Sequence, residues 1–331
     1  MNASGVVAVT GATGFLGSHL TERLVQEGLP VRLLARDPAK ASRFERVAEA
    51  IAIGDITDRR ALADVMEGAD VVFHLVSNFR STSDLPSRYH ATNLEGTLAA
   101  LDVAQAAGVR RFVHCSTIGV HGDVQHTPGD ETSPYAPGDL YQETKVLAER
   151  ACLERAANGG MEVVVVRPCS IYGPGDLRML KMFKMLARRT FVVLEPCDAN
   201  FHAVYIDDLV EGFIRAMRTP DIAGEAFIIG GPHYVPLREY IEAAARAVGA
   251  PSPAIRLPYG VMDAAAGVCE RLCVPLRIRP PISRRRVRFF KNNRAFSIAK
   301  ARERLAFVPK IGLDEGMRQT VAWYREQGYL R

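Results

Sequence analysis

A chain of 331 residues, 48% of them hydrophobic, is long enough for one large α/β domain with a smaller lobe, which excludes a disordered or low-complexity protein. The net charge of +5 is modest and no nucleic-acid-binding motif accompanies it, so a nucleic-acid partner is not expected. Residues 1 to 5 lack the basic start of a secretion signal, no stretch reaches the roughly 20 apolar residues of a spanning helix, and the six cysteines form no Cys-x-x-Cys pair, so the expectation is a cytoplasmic protein with reduced thiols and no metal site.

Residues 5 to 10 form a first aliphatic run that ends in Thr10-Gly11-Ala12-Thr13-Gly14-Phe15-Leu16-Gly17. A strand followed by this spacing of glycines and then by helical periodicity (16 to 28) is a dinucleotide-binding turn. Gly11 permits the tight turn, Gly14 the approach of a diphosphate, and Gly17 close packing of the helix whose first amides face the anion. The second run, 31 to 35, is followed by Arg36 and Asp37. An arginine there accepts a ribose 2′-phosphate and an acid binds the 2′-hydroxyl, so Arg36 leans the expectation to NADP(H) over NAD(H). After the third run, 49 to 53, Asp55 and Ile56 stand where a carboxylate would meet the adenine amino group.

Further short runs at 70 to 76, 110 to 116 and 162 to 167 alternate with helical segments at 58 to 67, 86 to 108 and 139 to 158, with Gly28, Gly68 and Gly108 as helix stops. The alternation predicts an α/β, doubly wound parallel sheet of the Rossmann kind over residues 1–167, with ligand chemistry at the carboxyl ends of its strands. Beyond Arg167 the alternation breaks and prolines punctuate shorter elements. Residues 168–331 therefore read as a smaller substrate-binding lobe, with the chain partly returning to the sheet between about 200 and 230.

Tyr141 and Lys145, four apart on the helical segment that follows Cys115-Ser116-Thr117, share one helical face. An ammonium at about 4 Å in an effective dielectric near 20 contributes on the order of 4 kcal/mol. It is expected to draw the phenol from near 10 toward neutrality as an acid/base. Lys145 would also bond the nicotinamide ribose, and the Thr117 hydroxyl would hold the substrate oxygen beside Tyr141.

With TGATGFLG at 10 to 17, GDITD at 54 to 58, HLVS at 74 to 77, NLEGT at 93 to 97, CSTIGVHG at 115 to 122, YQETK at 141 to 145, RPCSIYGPGD at 167 to 176 and VYIDDLVEG at 204 to 212, the chain resembles the extended short-chain dehydrogenase/reductase family. The resemblance implies catalytic roles for Thr117, Tyr141 and Lys145. It implies cofactor contacts from the glycine turn with Thr13, Phe15 and Leu16, from Leu75, Val76 and Ser77, from the supporting Asn93, and from Pro168, Ser170 and Ile171 beside the nicotinamide. Ser116, Ile118, Tyr172, Arg178 and His202 are the candidate substrate contacts. A homodimer through the helices at 86 to 108 and 139 to 158 is the family expectation.

Within that family, sugar-nucleotide dehydratases follow the threonine with Asp-Glu and the decarboxylases place a glutamate at the position of Gly119. This chain has Ile118 and Gly119, so elimination and decarboxylation are not expected. Plain redox remains, resembling the 3β-hydroxysteroid dehydrogenase and dihydroflavonol reductase branch on a bulky secondary alcohol or ketone, with a sugar-nucleotide 4-epimerase as the alternative. A redox-sensing regulatory protein of the same fold typically lacks the tyrosine and lysine. Residues 277 to 310 hold twelve Lys or Arg against one acid, Glu303, and the basic, methionine-rich 177 to 186 and largely apolar 261 to 276 lie to either side of the prolines. Together they suggest a greasy lip near anionic head groups and a peripheral membrane contact.

Overall fold

The computed structural model describes residues 5–79, 85–273 and 280–330. Its principal elements are β1 (Val6–Thr10), α1 (Phe15–Gln26), β2 (Val31–Ala35), β3 (Ala50–Ile53), α2 (Arg59–Met66), β4 (Ala69–His74), α3 (Gly96–Ala106), β5 (Arg111–Cys115), α4 (Leu140–Ala157), β6 (Glu162–Pro168), α5 (Leu180–Ala187), α6 (Ile206–Arg218), β7 (Ala226–Ile229), α7 (Leu237–Val248), α8 (Tyr259–Cys273) and α9 (Leu313–Glu326). Every strand predicted from an aliphatic run is present. They form one seven-stranded sheet in the order β7-β6-β5-β4-β1-β2-β3, parallel throughout. The order reverses between β1 and β4, which opens a crevice at their carboxyl ends.

Two apolar layers hold the sheet from either side. Val7, Val9, Val71, Phe73 and Val113 pack toward α1 and α6, whereas Ala8, Val72, Phe112, Val163 and Val165 pack toward α2, α3 and α4. Adjacent residues of one strand thus point to opposite layers, as the pleat requires, and burial on both faces is why the strands read as continuous aliphatic runs. The helix stops lie where expected, with Gly28, Gly68 and Gly108 at φ of +75°, +66° and +71°, a region glycine enters without steric cost. Asp58 and Asp139 begin α2 and α4 by accepting backbone N–H groups, the usual work of an N-cap carboxylate.

The segment 86 to 108 departs from a single helix. Pro86–Tyr89 is α-helical, His90–Glu95 is a wider π turn, and α3 resumes at Gly96. The wide turn carries the buried Asn93, and Gly96 lies so close to Ile56 that a Cβ there would collide with it.

Beyond β6 the chain leaves the sheet and returns, adding β7 to the sheet edge beside β6. Small strand pairs form outside the sheet: Ser170–Tyr172 with Ala203–Tyr205, Asn200–Phe201 with Val235–Pro236, and Val192–Glu195 with Ile255–Pro258. In the basic, methionine-rich segment α5 turns Phe183 and Leu186 into the core, where Phe183 meets Tyr324 edge-on at 5.3 Å, while Leu177 stays exposed. Of the apolar 261 to 276, the part beyond Cys273 lies outside the described residues. Among the described residues no helix is long and apolar enough to cross a membrane, and no group of three or more His, Cys, Asp or Glu stands close enough to hold a metal.

Candidate active site

The turn from β1 to α1 shows why it needs glycine. Gly11 has φ +79°, and a Cβ there would come within 3.0 Å of the Leu75 carbonyl carbon and the Val76 nitrogen, so the turn lies directly on the segment leaving β4. Gly14 donates to the Gly11 carbonyl at 3.0 Å and caps α1 without a side chain. The first-turn amides of Phe15, Leu16 and Gly17 therefore face the crevice as an anion site. Leu16 itself packs in the core, and Thr13 and Phe15 stay partly exposed. At Gly17 a Cβ would be driven into the Gly11 carbonyl oxygen. Backbone cannot give way as a flexible side chain can, so Gly17→Ala is expected to cost roughly 1–3 kcal/mol of stability. It should also weaken dinucleotide binding about tenfold, checked by thermal melting and calorimetric titration.

At the far end of the crevice Arg36 and Asp55 face each other across the ends of β2 and β3, Nη1 to Oδ2 3.9 Å, both well exposed. Asp37 is turned away, its carboxylate accepting the Ala39 N–H at 3.0 Å to cap the helix Pro38–Ala41. Asp55 also accepts from the Thr57 backbone and hydroxyl, while Ile56 is buried beneath.

The catalytic candidates meet where β4, β5 and α4 converge. Leu75 extends the ladder by donating to the Thr10 carbonyl at 3.1 Å, and Val76 and Ser77 follow. Asn93 accepts the Asn78 N–H at 2.7 Å and donates to the Asn78 carbonyl and the Thr144 hydroxyl, tying the post-β4 loop to α4. Thr117 leaves β5 and accepts the Gly119 N–H at 3.0 Å. Tyr141 lies in the first turn of α4 with its hydroxyl beside Ser77 and Thr117, both of which favour its ionised form. Its ring packs edge-on against Phe79 at 4.8 Å.

Lys145 lies one turn along the same helix, but its ammonium is directed at β5. Nζ donates to the Cys115 carbonyl at 2.6 Å and stands 3.2 Å from His114 Nε2. The expectation of a Lys145-depressed phenol is corrected here: burial, then the neighbouring Cys115, push the Tyr141 hydroxyl upward, and Ser77 and Thr117 only partly oppose them. Burial also lowers Lys145. Behind it His74 and His114 stack at 5.5 Å, both kept neutral by burial and the nearby ammonium, His74 at about 3 and His114 well below its ordinary value. His74 is held between the Thr10 and Thr97 hydroxyls at 2.9 and 3.0 Å.

A second polar network, not foreseen from the sequence, lies one turn further along α4. The buried Glu149 binds Arg167 at 2.5 and 3.0 Å, accepts the Tyr135 hydroxyl at 2.6 Å, and accepts the Ser116 hydroxyl. Arg167 also donates to the Glu131 carbonyl at 2.9 Å and meets His121 Nε2 at 3.1 Å. Spacing was the available signal: Tyr141, Lys145 and Glu149 recur every four residues on one face.

The candidate substrate contacts divide. Ser116 is buried on Glu149, Ile118 is buried at the start of a short 3₁₀ turn, and Tyr172 lies in the core against Tyr205 and Tyr240. His202 is buried with Nε2 3.0 Å from the Gly231 carbonyl. Arg178 remains at the crevice, paired with the buried Asp176 at 2.7 Å, donating to the Ile171 carbonyl at 3.0 Å, and lying over the rings of Phe15 and Phe79. Pro168 ends β6, and Ser170 and Ile171 pair with Ala203 and Val204 at the same edge.

Comparison with known proteins agrees with this geometry. The chain is 31% identical to a 3-beta-hydroxysteroid dehydrogenase of Mycolicibacterium neoaurum, over 97% of this chain and 92% of that one. It is 28% identical to the sterol demethylase protein B of Methylococcus capsulatus, over 97% and 99%. The crystal structure of gox2253 superposes with a TM-score of 0.84 at 27% identity, covering 99% of this chain and all of the other. Residues 7–230 match the family described as NAD dependent epimerase/dehydratase. A chain with a glycine turn on a reversing parallel sheet, a tyrosine and lysine one turn apart at its carboxyl edge, and this match belongs to the NAD-dependent epimerase/dehydratase family, the extended short-chain dehydrogenases and reductases.

Proposed function

We propose that the protein oxidises or reduces a secondary alcohol or ketone on a bulky, sterol-like substrate, in the manner of a 3β-hydroxysteroid dehydrogenase or ketoreductase. The observation that carries the reading is the Tyr141 hydroxyl beside Ser77 and Thr117, with Ile118 and Gly119 following Thr117 in the chain, so that a proton donor is present without the acids that elimination needs. A side chain at Gly119 would meet Thr117 Oγ1 and the Gln142 amide at 3.3 Å, which leaves little room there for a further catalytic group.

A bound nicotinamide dinucleotide supplies the hydride donor or acceptor. The chain's residues supply the rest. Tyr141 gives its proton to the carbonyl oxygen in reduction and takes the hydroxyl proton in oxidation, and Thr117 orients that oxygen. Lys145, held by the Cys115 carbonyl, would hydrogen-bond the nicotinamide ribose. The first amides of α1 would hold the diphosphate, with Thr13, Leu75, Val76, Ser170 and Ile171 along its path and the buried Asn93 and Pro168 supporting them from behind. Arg36, exposed while Asp37 is engaged in capping, supports a preference for NADP(H). Arg178 is the candidate substrate contact that remains at the crevice. Exposed Leu98 on α3 and Leu147 on α4 support a homodimer packed through these two helices.

The test is a coupled assay of a 3β-hydroxysterol with each nucleotide. The expected outcome is reversible, stoichiometric nucleotide reduction on an initially nucleotide-free enzyme, faster with NADP than with NAD. Purified protein that retains NAD through repeated washing and shows no net nucleotide reduction would instead identify the sugar-nucleotide 4-epimerase, which must return its hydride within each cycle.

A further inference from the structure

The layer of the sheet that faces α4 is apolar except at its carboxyl edge. Ala8, Val72, Phe112, Val163 and Val165 pack there. By the two-residue period of a strand, the next positions on the same side of β4 and β5 are His74 and His114. The two are register partners and both are fully buried. His74 has a partner for each ring nitrogen. The Thr97 hydroxyl spends its proton on the Asn93 carbonyl at 2.8 Å and so accepts from His74 Nε2, which leaves Nδ1 to accept from the Thr10 hydroxyl.

His114 differs. Among the described residues its Nδ1 has no hydrogen-bond partner, while its Nε2 faces the Lys145 ammonium at 3.2 Å. An ammonium has only protons to give, so Nε2 is the acceptor and the ring proton sits on Nδ1, a buried N–H left unpaired. Such a group costs stability, and a phenyl ring would fill the same space without that cost. Packing therefore does not account for an imidazole at 114, whereas Lys145 does. Of the three protons on Nζ, the Cys115 carbonyl takes one at 2.6 Å and His114 Nε2 a second. The carboxylate one turn along α4, Glu149, is already taken by Arg167, Tyr135 and Ser116. A stem with four rotatable bonds held by one carbonyl keeps much of its freedom, and two acceptors on consecutive residues of β5 remove it. The His74 ring, stacked on His114 at 5.5 Å with 19° between the planes, backs the arrangement.

We propose that His114 is a positioning residue for Lys145: its Nε2 takes one ammonium proton, fixes the ammonium at the carboxyl end of β5 and leaves the remaining proton for the nicotinamide ribose. The inference rests on the reading of Lys145 as the residue that bonds that ribose.

The test is calorimetric titration of nucleotide on the wild-type protein, His114→Phe, His114→Gln, Lys145→Met and the H114F/K145M double variant, with single-turnover hydride transfer alongside. H114F keeps a ring of similar size and removes the acceptor, and is expected to weaken nucleotide binding about fivefold, the factor one hydrogen bond contributes. It should slow hydride transfer about tenfold through a less fixed cation. H114Q offers an amide oxygen in place of Nε2 and should restore both to within about twofold of wild type. In the K145M background H114F should change nothing further, because an effect exerted through Lys145 ends with Lys145. Equal losses in H114F and H114Q would assign His114 to packing and overturn the proposal, as would losses that add in the double variant. The titration needs no substrate, so its outcome holds whichever substrate the enzyme takes. K145M indistinguishable from wild type in both measurements would overturn the functional reading of Lys145 and this proposal together, whereas additive losses overturn this proposal alone. Nitrogen NMR of the histidine rings in wild-type protein gives a readout independent of how the variants fold. His114 is expected as the neutral Nδ1–H tautomer, and the Nε2–H tautomer would overturn the proposal.

Discussion

Tyr141→Phe is expected to lower kcat about 10³-fold, within the range that positioned general acids and bases contribute, with nucleotide affinity changed less than about twofold. The reason is local. The substitution removes one oxygen at the carboxyl end of β5 and leaves the ring on Phe79, and the Gly11 to Gly17 turn proposed to hold the diphosphate lies on other elements. The paired measurement is single-turnover hydride transfer beside a nucleotide titration. A Phe variant within tenfold of wild type would remove Tyr141 from the chemistry, while a parallel loss of nucleotide affinity would assign it to binding.

Without nucleotide, Tyr141 is shifted upward, so the phenol is protonated across the neutral range and poised as an acid. Thr117→Ala removes one of the two hydroxyls that oppose that upward shift, so the alkaline limb of a ketone-reduction profile, where the phenol loses its proton, is expected to move to higher pH.

Much of the fold was legible because its causes are local or repetitive. Strands buried on both faces must be aliphatic throughout, and helices that turn back on a sheet need a residue tolerant of positive φ, hence Gly28, Gly68 and Gly108. The glycine turn was legible for the same reason: backbone passing close to Leu75 and Val76 excludes any Cβ at Gly11. The direction of the Lys145 ammonium was not legible. Spacing puts Tyr141 and Lys145 on one face, but a side chain with four rotatable bonds goes to its best acceptor, and that is the Cys115 carbonyl on β5. The wide turn at His90–Glu95 was equally hidden, since its cause is the set of bonds Asn93 makes to Asn78 and Thr144, far apart in sequence. The part of the chain beyond Arg167 was only partly legible because strands of two to four residues are too short for a period to show.

Glu149→Ala is expected to be the most damaging single change to stability, costing about 3–5 kcal/mol, because it leaves the Arg167 guanidinium buried without its anion. The same change strips acceptors from Tyr135 and from Ser116, the residue before Thr117, so loosening at Glu149 reaches the catalytic turn through the chain itself. Glu149→Gln keeps the shape and one acceptor oxygen and is expected to cost less than half as much, which separates charge from packing. Burial works to raise the Glu149 carboxyl, but Arg167, Ser116 and Tyr135 outweigh it and hold it below the ordinary carboxylate range. A carboxyl whose folded value is depressed adds stability that is fully present above its unfolded value, about 4.3, and is lost as pH falls through the folded one. Wild-type protein should therefore lose stability on acidification below about pH 4 more steeply than the Gln variant, whose neutral amide has no proton to gain. Chemical denaturation at pH 7 and at pH 3.5 checks both statements: parallel pH slopes in the two proteins would mean that Glu149 is held by packing and that its charge contributes little.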